Sequence, residues 1–188
     1  MRDQVSNLVQ RIRDLEQELE VEFARRRAAF NYTIERGRVV FGRDVRKHHR
    51  ALRQKLGSYL AHARPLVVLT APVIYSVILP LVLLDVFVTL YQAICFPIYG
   101  IEKVCRRDYI SLDRRHLAYL NGLEKLNCVY CGYGNGLLAY AREIAARTER
   151  HWCPIKHAGR MRGTHMHYPE FYEYGDADAF QNQKKGAQ

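Results

Sequence analysis

Residues 66–98 read LVVLTAPVIYSVILPLVLLDVFVTLYQAICFPI, an apolar run whose only charge is Asp85 and which carries Pro72, Pro80 and Pro97. About twenty apolar residues cross a bilayer core of roughly 30 Å. As one straight helix these thirty-three residues would reach about 50 Å at ~1.5 Å per residue. That is long for one upright span and short for two spans with a turn. Each proline removes a backbone donor and disfavours continuous helix. Three readings follow: a tilted or kinked single span, a re-entrant wedge turning near Pro80, and a buried core hairpin of a soluble protein. The last would need a large domain around it.

The flanks discriminate among these. Arg46, Lys47, Arg50, Arg53, Lys55 and Arg64 precede the run, and Lys103, Arg106, Arg107, Arg114 and Arg115 follow it. Lys and Arg mark the cytoplasmic side of a span. Six against five is no asymmetry, so the balance favours the wedge, with both termini in the cytoplasm. Asp85 is costly at bilayer depth. It reads either as a proton or ligand site, or as a protonated or capping carboxyl paired with Tyr75, Ser76 or Thr89.

The whole chain has 188 residues and a formal net charge of +10. That size allows one domain plus an anchor. Beside an apolar segment, the positive charge points first to a bilayer with anionic headgroups. Nucleic acid is disfavoured because the basic stretch lacks interleaved aromatics for base stacking. The opening, MRDQVSNLVQRIRDLEQELE, has acids throughout and no apolar core, so it reads as neither signal nor transit peptide. Val5, Leu8, Ile12, Leu15 and Leu19 follow the 3,4 spacing of a coiled-coil seam. Residues 3–35 therefore predict a helix, with Phe23, Phe30 and Ile34 carrying the stripe onward. The stripe is expected to pack on the chain's own C-terminal part, with a protein partner or homodimer as the alternative. Residues 45–63 predict a basic amphipathic helix at the headgroup level, with Leu52, Leu56, Tyr59 and Leu60 as its stripe.

Beyond the run, helices are expected at 113–127 and 137–150, separated by a glycine-rich turn, Cys128–Gly136. Cys128 and Cys131 form C-x-x-C, the shape of a metal knuckle. Cys153 and His157 stand four apart around Pro154, which is favoured at a first helical position. Together they make a closed three-sulfur, one-imidazole set suited to structural Zn²⁺, with iron second. Reduced structural cysteines or a redox dithiol are the alternatives. Thiolates persist in reducing compartments, which again points to the cytoplasm. Cys95 and Cys105 have no partner at ligand spacing, and His165 and His167 are expected to be solvated.

The segments LTAPVIYS, VTLYQAICF, YGIEKV, HLAYLNGLEKLNCVYCGYGNGL, REIAARTE and WCPIKHA resemble those of a family of small bacterial inner-membrane proteins with no established activity. The resemblance covers about residues 65–178. It implies membrane association and brings no substrate or catalytic residue.

The expected fold is mainly α. It comprises N-terminal amphipathic helices in 1–64, a proline-broken membrane helix or re-entrant wedge in 65–99, and a small helical C-terminal domain with a zinc-knuckle-like site in 100–180. Residues 181–188 are expected to be disordered. The expected function is a membrane-anchored, cytoplasm-facing, metal-stabilised interaction or scaffold module. The alternative is an interfacial enzyme acting on a lipid or amphiphile, with Asp113, His116 and Glu124 as acid–base groups.

Overall fold

The computed structural model describes residues 2–28, 32–35 and 38–186, and the chain is mainly helical. It divides into two units, residues 1–78 with 111–135, and residues 79–110 with 136–188.

The first unit opens with α1 (Arg2–Ala28). The pairs Gln10–Asp14 (2.8 Å) and Glu22–Arg26 (3.1 Å) lie four apart along it, the spacing at which side chains on a helix meet. The expected helix to residue 35 stops short, because β1 (Tyr32–Glu35) pairs antiparallel with β2 (Arg38–Phe41). YTIE and RVVF are rich in β-branched and aromatic residues, which suit a pleated surface better than a helix. Phe30 and the side chains of Val5 and Ile34 lie outside the described residues. Leu8, Ile12, Leu15 and Leu19 are each more than half exposed.

The basic stretch is two short helices rather than one, α2 (Arg43–Ala51) and α3 (Leu56–Ala61). The extended Lys55 stands at the start of the second. His49 packs edge-on against Phe41 and Tyr119.

The apolar run is helical from Pro65 to Tyr99 apart from Val77, as α4 (Pro65–Ser76) and α5 (Ile78–Tyr99). Pro65 occupies the first turn of α4. There a missing N–H costs nothing, because the first four donors have no intrahelical partner anyway. Pro80 sits in the first turn of α5 for the same reason, so the expected turn at Pro80 is absent. Val77 itself has right-handed helical angles. At the break, the Tyr130 hydroxyl donates to the Ile74 carbonyl (2.8 Å) and Tyr75 donates to Asn127 (2.5 Å). Helix α5 ends at Gly100, whose φ is +69°. The Ile101 N–H reaches back to the Phe96 carbonyl (2.8 Å), the hydrogen bond of a glycine-terminated helix.

The largest departure from expectation is α6 (Gly122–Trp152), one 31-residue helix through the stretch expected to turn. A reciprocal cap starts it: the Glu124 N–H donates to Asn121 Oδ1 (3.0 Å) and the Asn121 N–H to Glu124 Oε2 (2.8 Å). The glycines inside serve close packing rather than a turn. In the first unit, a Cβ on Gly132 would stand 3.0 Å from the Ser111 carbonyl oxygen. In the second, a Cβ on Gly136 would stand 2.5 Å from the Tyr109 oxygen and 2.9 Å from Ile110 Cα. The bare helix surface lets a neighbouring backbone lie directly on it, which outweighs the propensity cost of glycine, about 1 kcal/mol per residue.

Phe96, Val104, Leu137, Tyr140, Ile144, Ala146 and Phe171, all in the second unit, are buried. Thr89 and Gln92 meet Tyr140, while Tyr99 meets His151 and Trp152. Within the second unit, residues 89–99 of α5 and 140–152 of α6 therefore run side by side in the same direction. Residues 153–176 fold back along α6. Ile155 and Tyr172 form a bridge, with hydrogen bonds from Lys156 N–H to the Tyr172 carbonyl and from Tyr172 N–H to the Pro154 carbonyl (2.8 Å each). Residues 181–186, expected to be disordered, belong to α7 (Ala177–Gly186), whose first turn is capped by Asp176. Residues 187 and 188 lie outside the described residues.

Candidate membrane-binding site

Helix α5 has two chemically distinct faces. Leu79, Pro80, Val82, Leu83, Val86, Phe87, Leu90, Ala93, Ile94, Pro97 and Ile98 are exposed, and every one is apolar. Its polar residues Asp85, Thr89 and Gln92 recur at four- and three-residue spacing on the opposite face, against protein. A soluble helix has the reverse arrangement. Exposed apolar surface on this scale marks a membrane or protein contact. On α4, Leu66, Val67, Leu69, Val73 and Ile74 are likewise more than half exposed. The helix Pro65–Tyr99 is long and apolar enough to cross a membrane.

The inward polar face is fully engaged. Arg106 grips Asp85 with two bonds, Nε to Oδ1 at 3.1 Å and Nη2 to Oδ2 at 2.6 Å. Thr89 donates to the same carboxylate (3.3 Å). Asp85 is therefore an ion-paired carboxylate. Thr89 is one of its three expected partners; Tyr75 donates to Asn127 and Ser76 back-bonds to the Val73 carbonyl. Gln92 clamps the Val104 backbone, accepting its N–H (2.9 Å) and donating to its carbonyl (3.2 Å), and it also bonds the Tyr140 hydroxyl. Arg106 escaped notice in the sequence because it is 21 residues from Asp85 and looked like one of several flanking charges. The pairing needs the segment after Gly100, which leads into a 3₁₀ turn at Arg106–Asp108, to return along α5.

The charged residues of α6 pair along the helix and with residues 165–170. Glu143 meets Arg147 (2.9 Å) and His167 (3.3 Å), Glu149 meets His165 (2.8 Å), and Arg150 meets Glu170 (3.3 Å). His165 and His167 are thus partly buried partners of α6 rather than solvated. Burial alone would push the Glu143 carboxyl up, but the hydrogen bonds from Arg147 and His167 outweigh it and hold it below the ordinary range. Burial, then the Glu143 charge, raises the Tyr109 hydroxyl above its usual value.

The expected metal set is not gathered as a knuckle. Cys128 and Cys131 lie one turn apart inside α6, in the first unit, where helical geometry replaces the expected tight turn. Cys153 and His157 belong to the second unit, where His157 stacks on Tyr168 and Pro154 begins a non-helical segment. Among the described residues, no group of three or more His, Cys, Asp or Glu side chains could hold a metal ion. Of the acid–base candidates, Asp113 and His116 sit in an exposed 3₁₀ turn, where Arg115 Nε donates to His116 Nε2 (3.3 Å). Glu124 is committed to the cap of α6.

Compared with protein-family models, with curated proteins and with solved structures, the chain matches none.

Proposed function

We propose that this protein is a membrane-surface interaction module, held by the apolar face of α5 lying along one leaflet, with both termini on the cytoplasmic side. The observation that carries this reading is the two-faced helix, apolar outward and polar toward its own protein. An upright crossing would draw α6 with it, because the two helices run side by side from Thr89 to Tyr99. Arg142, Glu143, Arg147, Glu149 and Arg150 lie on that stretch of α6. A charge at bilayer depth costs at least about 2.5 kcal/mol. A helix lying in the interface instead buries its apolar face about 5–10 Å deep and leaves those charges in water. Burying eight or so large apolar side chains supplies on the order of 10 kcal/mol. Tyr99 and Trp152, in edge-to-face contact, suit the headgroup level, where amphipathic rings collect. The exposed seam of α1 is the element offered to a protein partner or a second copy.

Reporter fusions at Gln10 and Gln181 test the topology. Both should report the cytoplasmic side, and the protein should stay with membranes at 1 M salt, where the Debye length is about 3 Å. Reporters on opposite sides would establish a crossing helix and end the in-plane reading.

A further inference from the structure

The second unit carries a cavity of about 840 Å³ beneath the loop that follows α6. The loop runs from His157 to Thr164, and both of its ends are fixed. At the near end the His157 N–H donates to the Tyr168 hydroxyl (2.8 Å), beside the Ile155–Tyr172 bridge. At the far end Arg142 donates Nη2 to the carbonyls of Gly163 (2.7 Å) and Thr164. Gly163, at φ +69°, makes the bend there. Pinned ends keep the cavity open without a ligand, which lowers the ordering cost of binding.

The lining is cationic. Lys156 is neutralised by Glu173 (2.6 Å). Arg160 and Arg162 also line the cavity, are exposed, and have no hydrogen-bond or ion-pair partner among the described residues. The two guanidiniums therefore bring uncompensated positive charge to a preformed concavity that also offers the imidazole of His157 and the hydroxyls of Thr164 and Tyr168. An ordinary solvated arginine pair would need neither the cavity nor the pinned loop. Guanidinium forks match phosphate oxygens bidentately, and hydroxyl and imidazole groups complete the shell of a phosphate ester.

We propose that this cavity binds a phosphate monoester or diester through Arg160 and Arg162. Two sources share that chemistry, a phospholipid headgroup and a soluble phosphate ester. The loop begins five residues beyond Trp152, whose ring contacts Tyr99 at the end of α5. That position favours the headgroup, and this choice alone rests on the membrane reading above.

The test is calorimetric titration of the full chain in a neutral detergent with three probes: inorganic phosphate, glycerol 3-phosphate and dioctanoyl phosphatidic acid. Saturable binding of at least one probe is expected, weakened about tenfold or more in Arg160→Ala/Arg162→Ala, a loss typical of removing charge-assisted hydrogen bonds. Arg160→Lys/Arg162→Lys should recover part of it, since charge remains but the fork is lost. Phosphatidic acid binding at least tenfold tighter than glycerol 3-phosphate would identify the lipid source, and equal binding the soluble one. Because both arginines are exposed, the double alanine variant should melt like the parent. No saturable binding by the parent, or binding unchanged in a folded double alanine variant, would overturn the proposal. Micelle binding does not depend on topology, so failure here is separable from failure of the reporter experiment.

Discussion

Replacing Gly136 by alanine is the most direct probe of how α6 is built. Elsewhere in a helix the change would add stability, by up to about 1 kcal/mol from propensity alone. At Gly136 the new methyl would meet the Tyr109 carbonyl oxygen at 2.5 Å, Ile110 Cα at 2.9 Å and Ile110 Cγ1 at 3.1 Å. The nearest two are backbone atoms, so no side-chain rotation relieves the clash. The 101–110 segment must lift off the helix, and that segment carries Val104 and Arg106, the partners of Gln92 and Asp85. Overpacking of this kind costs about 1–3 kcal/mol. For a chain of this size, 1 kcal/mol corresponds to about 2–4 °C in Tm, so Gly136→Ala should melt roughly 2–12 °C lower in detergent. Gly122→Ala is the internal control. A Cβ there meets nothing within 4 Å, and the variant should melt at or slightly above the parent temperature. A Gly136→Ala protein as stable as the parent would show that the 109–110 backbone does not lie on the helix, and the packing argument for the glycines would fall with it.

Arg106→Ala strips a half-buried carboxylate of its bidentate partner and should destabilise by about 1.5–3 kcal/mol. Asp85→Asn/Arg106→Ala should recover a measurable part, and a double variant no better than the single would deny the coupling. Glu143 has a depressed folded-state pKa, so its contribution is present above the unfolded carboxylate pKa and is lost as pH falls through the folded value. Urea midpoints measured across that acidic window should fall less steeply for Glu143→Gln than for the parent, and parallel curves would contradict this. Ile12→Asp/Leu15→Asp alters two exposed seam positions of α1. If the seam joins two copies, light scattering in detergent should show the mass halve while the melting temperature of the remaining chain holds. A monomeric parent would leave the seam to a different partner.

The sequence alone determined that residues 65–99 are apolar and long enough to cross a membrane and that the chain is mainly helical. The apolarity of that run is a matter of composition, and the periodicity of Leu8, Ile12, Leu15 and Leu19 is a local property of a helix. Only the tertiary structure decided what Gly132 and Gly136 are for. Glycine supplies both tight turns and bare helix surface, and the two uses look the same until a backbone is seen lying against Gly136 at a distance no Cβ would allow. The Asp85–Arg106 pair and the His165–Glu149 and His167–Glu143 contacts were hidden for a related reason. Charge pairing between residues 16 to 24 positions apart depends on how segments fold back along a helix, and no spacing rule reports that. The cationic cavity was hidden too, because Arg160 and Arg162 read as loop charges until the Arg142 clasp and the Tyr168 hydroxyl fix the ends of the loop around a space.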